Sequence, residues 1–154
     1  MPTGATVPRT ATNSKVNRRM TAQHLDIEGY WDVTILYDVW PQDLGEVGAM
    51  LSSLGAPRQM VEDAVSNLQG WNAGYTLTSM GRCESIVCIG RATSLREFLN
   101  TIDHETDHVQ AHVAEYYGVM LGTEQAAYLQ GYVGGRLLEF VVNEIINHQY
   151  RLTA

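Results

Sequence analysis

The run SLREFLNTIDHETDHVQAHVAEYYG, Ser94–Gly118, decides the fold. Leu95, Phe98, Leu99, Ile102, Val109, Val113 and Tyr116 recur at the three- and four-residue spacing of one helix face. Ser94 and Glu97 form a capping box, in which a hydroxyl and a carboxylate satisfy free backbone N–H groups of the first turn. Gly118 stands where a left-handed residue would end the helix. The spacing predicts one long helix, with His104-Glu105-Thr106-Asp107-His108 near its middle.

Upstream, Gly74–Ser79 and Glu84–Gly90 read as two short strands joined by the turn-like Met80-Gly81-Arg82, a hairpin. Further upstream, Gly29–Trp40 alternates. Trp31, Val33, Ile35, Tyr37 and Val39 share one face, and Asp32, Thr34 and Asp38 share the other, so a strand with one buried side is expected. Pro41 ends it. Asp43–Leu54 and Arg58–Leu68 then carry helical apolar spacing, separated by Gly55-Ala56-Pro57. Downstream, Thr123 can cap a last long helix from Glu124 to about Gln149. Ala127, Gly131 and Gly135 form a small-residue stripe on it that predicts close approach of another helix. The order strand, two helices, hairpin, motif helix and C-terminal helix is α+β.

Residues 1–24 have no apolar period and read as a flexible basic arm, leaving 25–154 as a single domain. The chain has 154 residues, 45% of them hydrophobic, enough for one globular domain. Its formal charge is −7, unevenly spread. Arg9, Lys15, Arg18 and Arg19 lie in the first twenty residues, which hold no acid, so the rest is strongly acidic. That body repels a phosphate backbone, and nucleic-acid binding by the folded domain is not expected. No apolar run suits a membrane span, and the polar start does not read as a secretory signal. The expected setting is the cytoplasm. Cys83 and Cys88 fit no CxxC metal spacing, and Cys88 reads as a small core residue in a reduced compartment.

HExxH places two imidazoles one helical turn apart on one face, where both can reach a single cation. The Glu between them stands beside the ion and can take a proton from an activated water. Glu105 also falls between Ile102 and Val109 on the face expected to be buried, where a carboxylate needs a partner or a cation. The plainer reading makes His104, His108 and His112 a solvated polar face. A zinc site with an open position needs a third protein ligand. His112 is in the i, i+4, i+8 row with His104, but a helix separates those positions by about 12 Å. It reads as a group facing the substrate or supporting the ligands. Glu115 is too far along the same helix, and His148 lies near the far end of the last one. Glu124, which opens the next helix, fits best; otherwise it is a first-turn acid favoured by the helix dipole.

HExxH with a glutamate on the following helix resembles the zincin metallopeptidases of gluzincin type. Residues of about 72–140, through Thr101-Ile102-Asp103-His104-Glu105 and Glu124-Gln125-Ala126-Ala127-Tyr128, also resemble small uncharacterised zincin-like proteins of phages and mobile elements in gut Bacteroides-type bacteria. The resemblance implies a zincin-like fold and Zn2+ held by His104, His108 and Glu124, with Glu105 as general base. The chain departs from the pattern in a short connection to Glu124 and lacks the third His of HExxHxxGxxH. Tyr128, Tyr132, His112 and Arg136 are candidates to stabilise an oxyanion, or, for the tyrosines, ordinary core aromatics. The strand Ser85–Ile89 would sit at the cleft and hold an extended peptide by its edge, or be an interior strand. Asp103 and Asp107 would orient imidazoles or be solvated.

Two functions remain open. One is a zinc-dependent peptidase acting on a flexible peptide or protein segment. The other is a non-catalytic zincin-fold protein with a structural or interaction role, for instance in a phage particle. Self-association is open in both.

Overall fold

A computed structural model describes residues 20–147. Thr21–Ile27 (β1) and Trp31–Val39 (β2) form an antiparallel hairpin. Leu44–Ser53 (α1) and Arg58–Leu68 (α2) follow, then Gly74–Ser79 (β3) and Glu84–Gly90 (β4). Leu95–Tyr117 (α3) and Glu124–Phe140 (α4) complete the order, and α4 runs into a π-helical turn at Val141–Ile146. The α+β expectation holds, with a long C-terminal helix.

The sheet is four-stranded in the order β1-β2-β4-β3. The β2–β4 pair is parallel and the two flanking pairs are antiparallel. A parallel pair needs a crossover, and α1 and α2 lie in that connection. They cover one face of the sheet through Val47, Leu51, Ala64 and Leu68 against Leu36, Ile86 and Cys88. Helices α3 and α4 cover the other through Phe98, Ile102, Val109, Val133 and Leu137 against Val33, Ile35 and Val87.

Burial on both faces corrects the one-sided reading of β2. Only Asp32 of that strand is exposed; Thr34 and Leu36 are buried under the α1–α2 layer side of the sheet. Asp38 has a positive φ of 58°, and the β2–β4 register shifts between Leu36 and Val39. Val39 therefore packs with α1 and α2, away from Trp31, Val33, Ile35 and Tyr37.

Strand β1 starts at Thr21, inside the stretch read as an arm. Gln23, Leu25 and Ile27 point inward, and Gln23 is a buried polar residue that accepts the Tyr37 hydroxyl at 2.7 Å. That pairing across strands makes a polar residue tolerable inside. Residues 1–19 lie outside the described part. Strand β4 is interior, between β2 and β3, so the edge strand beside α3 is β3. No helix among the described residues is long and apolar enough to cross a membrane.

Candidate metal centre

Helix α3 begins and ends as its terminal residues dictate. The Ser94 hydroxyl accepts the Glu97 backbone N–H at 3.2 Å, and Gly118 takes φ 67°. Between these caps the helix buries Phe98, Thr101, Ile102, Glu105, Val109 and Val113 on the sheet. His104 and His108 remain exposed beside that face. Their rings are 5.0 Å apart, edge to face. One ligand atom each of His104, Glu105 and His108 lies within 4.8 Å of the others.

Glu105 is only 5% exposed. Its Oε2 accepts the Thr76 hydroxyl of β3 at 2.6 Å, and its Oε1 stands 4.0 Å from His104 Nε2. His104 is its one ion-pair partner among the described residues, with no Lys or Arg within reach. A buried carboxylate with one hydroxyl donor and no fixed cation suits a site that takes a cation from solution. The two imidazoles are donors that zinc and other divalent transition metals accept, and a carboxylate beside them can serve as a third donor or as a base, but not as both at once.

Strand β3 supplies residues that the motif alone did not reveal. Gly74, Thr76 and Thr78 alternate along the strand and share its face toward α3. A Cβ on Gly74 would stand 2.7 Å from Glu105 Cγ and Oε1 and from Thr101 Cγ2, so the carboxylate occupies the space a side chain would take. Thr78 Oγ1 lies 2.8 Å from His112 Nδ1 and 2.8 Å from Ser85 Oγ, and Ser85 accepts Trp31 Nε1–H at 3.1 Å. The signal was the period-two run of small and hydroxyl residues beside a motif helix.

His112 is half-buried, with its ring 6.2 Å from that of His108 and nearly parallel to it. Burial, and then the charge of His108, hold its pKa below the usual imidazole range, with Glu115 working the other way. The neutral ring is therefore favoured.

Glu124 does not join the cluster. It is exposed and lines a groove with Tyr30, Tyr117 and Tyr128. The cause is the side from which α4 approaches α3. Gln110 Nε2 donates to the Ala126 carbonyl at 2.9 Å, and Gln110 lies roughly 200° around the helix from His108. The expected third ligand is thus carried to the other side of α3. Among the described residues no other His, Cys, Asp or Glu completes the group. Glu115 is exposed, and His148 lies outside the described part.

The remaining candidates belong to that other side as well. Tyr128 is 73% exposed. The Tyr132 hydroxyl donates to the Asp26 carbonyl at 3.4 Å, and the Arg136 guanidinium stands 4.5 Å from the Tyr132 ring centre. Asp103 and Asp107 are exposed, and neither bonds an imidazole among the described residues. Cys88 is fully buried, and burial, followed by the Glu105 charge, pushes its thiol up to about 12. Comparison of the chain with protein-family models, curated proteins and solved structures finds no match.

Proposed function

We propose that this chain is a zinc-dependent peptidase of zincin type, with His104 and His108 supplying two of the ligands to the ion and Glu105 acting as general base. The observation that carries the reading is the convergence of both imidazoles and a buried, singly hydrogen-bonded carboxylate within 4.8 Å. When bound, zinc supplies the Lewis acidity that activates water and polarises a carbonyl at neutral pH.

The residues then have distinct tasks. Thr76 occupies Glu105 Oε2 and leaves Oε1 on the imidazole side. Oε1 takes a proton from the attacking water as the water oxygen bonds to the scissile carbonyl carbon. The same carboxyl returns that proton to the amine nitrogen as the C–N bond breaks. The products are a carboxylic acid and an amine, and the second water proton passes between them to leave a carboxylate and an ammonium group. The sheet edge at β3 borders this site, so an extended, flexible peptide is the substrate shape it favours.

Metal analysis of the purified chain tests the site, followed by cleavage of a quenched-fluorescent peptide library. About one zinc per chain is expected, with binding lost in His104→Ala. Glu105→Gln is expected to keep zinc and lose at least about 10²-fold in kcat. Equal cleavage by parent and Glu105→Gln would overturn the mechanism. The second reading, a non-catalytic protein on the same scaffold, draws support from Glu124 standing outside the ligand group. It predicts bound metal without any cleavage.

A further inference from the structure

A groove of about 960 Å³ lies between the end of α3, the start of α4 and the β1–β2 turn, on the side of α3 away from His104 and His108. Val113 and Ala114 line it from α3 and Gly131 from α4, where a Cβ would meet nothing within 4 Å. Tyr30, Tyr117 and Tyr128 border it, and all three are exposed. The Tyr30 and Tyr117 rings meet edge to face at 5.1 Å. This is an apolar, aromatic recess open to solvent and large enough for a short peptide segment.

Its charge has one sign. Glu28 and Glu124 line it, and no Lys, Arg or His does. Neither carboxylate has an ion pair or a hydrogen bond among the described residues. Arg136 rests on the Tyr132 ring, 4.5 Å from its centre, and is not part of the lining. Tyrosine faces attract a guanidinium or ammonium group, and the two carboxylates add to that field. The occupant that fits is basic and partly apolar.

The chain carries such a segment outside the described part. Residues 1–19 hold Arg9, Lys15, Arg18 and Arg19 and no acid, with Val7 and Pro8 next to Arg9. They join the fold at Met20, just before β1, and the groove begins at Ile27, the far end of that strand. Thr21 to Ile27 covers about 20 Å at ~3.3 Å per residue. The stretch from Arg9 to Met20 spans up to about 36 Å, so Arg9 reaches the groove, whereas Lys15, with about 17 Å, falls short of it. We infer that Val7-Pro8-Arg9 of the same chain seats in this groove, with the Arg9 guanidinium against the tyrosine rings and the Glu28 and Glu124 carboxylates. The short tether supports the seat, because it holds the segment at an effective concentration on the order of mM. The seat leaves the His104 and His108 side of α3 open and does not depend on the peptidase reading.

Lys15 is the single lysine of the chain, which allows a direct test. In the full chain carrying Arg9→Lys and Lys15→Arg, the one side-chain amine moves to position 9 and the net charge stays the same. A zero-length carbodiimide then joins that amine to whichever carboxylate it touches, at low protein concentration and low salt, and mass spectrometry maps the link. Most of the product is expected to be monomer linked to Glu28 or Glu124, although the chain holds seventeen acids. Raising salt to about 1 M, where the Debye length is ~3 Å, should lower the yield several-fold. Gly131→Leu places a side chain in the groove and should lower it about 10-fold, with circular dichroism confirming the fold. Glu28→Gln with Glu124→Gln replaces Gly131→Leu if that variant does not fold, and should remove the link without moving it to other acids. Links spread over other carboxylates, no link, or an unchanged yield in folded Gly131→Leu would overturn the seat. A product that is mostly covalent dimer would overturn it as well, and would give the groove to a second copy.

Discussion

Gly74 shows how closely the candidate base is fitted. Its missing side chain is filled by the Glu105 carboxylate and by the Thr101 methyl, each within 2.7 Å of where a Cβ would stand. Gly74→Ala should therefore destabilise the fold by about 1–3 kcal/mol, as overpacking does. It should also displace Oε1 and lower kcat. Urea unfolding and kinetics on one preparation check both effects, and an unchanged midpoint would show that the site has room. Thr76 acts from the same strand face two residues on, where a charge-assisted bond to Oε2 orients the carboxylate. Neither residue carries a motif. Each matters because of what the register of β3 sets it against.

The helices separate what is local from what is not. Helix α3 was legible because its caps, apolar period and i, i+4 histidines all act within a few residues of one another. The start of helix α4 was legible, since the Thr123 hydroxyl accepts the Ala126 N–H at 3.3 Å, but its orientation was not, and the expected end near Gln149 lies outside the described residues. The small-residue stripe suggested close packing through Gly131 and Gly135. The structure buries Ala126, Val133 and Leu137 instead, and a Cβ at Gly131, Gly134 or Gly135 would meet nothing within 4 Å. The larger apolar side chains win the buried face because burying each is worth about 1.5–3 kcal/mol, which a glycine cannot supply. Gly131→Ala and Gly135→Ala should accordingly stabilise the chain by about 0.5–1 kcal/mol each, through higher helix propensity. Thermal unfolding checks this, and a loss of stability would reveal a close neighbour for that face.

At the scale of the molecule, the sheet works as a partition. Helices α1 and α2 fill one side, and the candidate site lies on the other, between α3 and the β3 edge. Metal binding at that seam joins stability to site formation, because an unfolded chain does not hold the two imidazoles and the carboxylate together. With free zinc about 100-fold above its Kd, the folded state should gain ~2.7 kcal/mol, and Tm should rise by roughly 5–10 °C. His108→Ala should abolish the rise. Calorimetry with and without chelator checks it, and an equal rise in His108→Ala would place the ion elsewhere.

The sequence by itself determined the helices, three of the four strands, the α+β order and the pairing of His104 with His108. Each rests on period, capping or a one-turn spacing, which a chain settles over a few residues. Strand β1 escaped because its inward row starts with Gln23, whose burial makes sense only once Tyr37 lies across from it. Tertiary structure alone decided that β3 and not β4 forms the edge, that Gly74 and Thr76 shape the bed of Glu105, and that Glu124 falls on the far side of α3. These are relations between residues distant in the chain. They follow from which faces pack and in what register, and burial across the whole core sets that, not any local pattern.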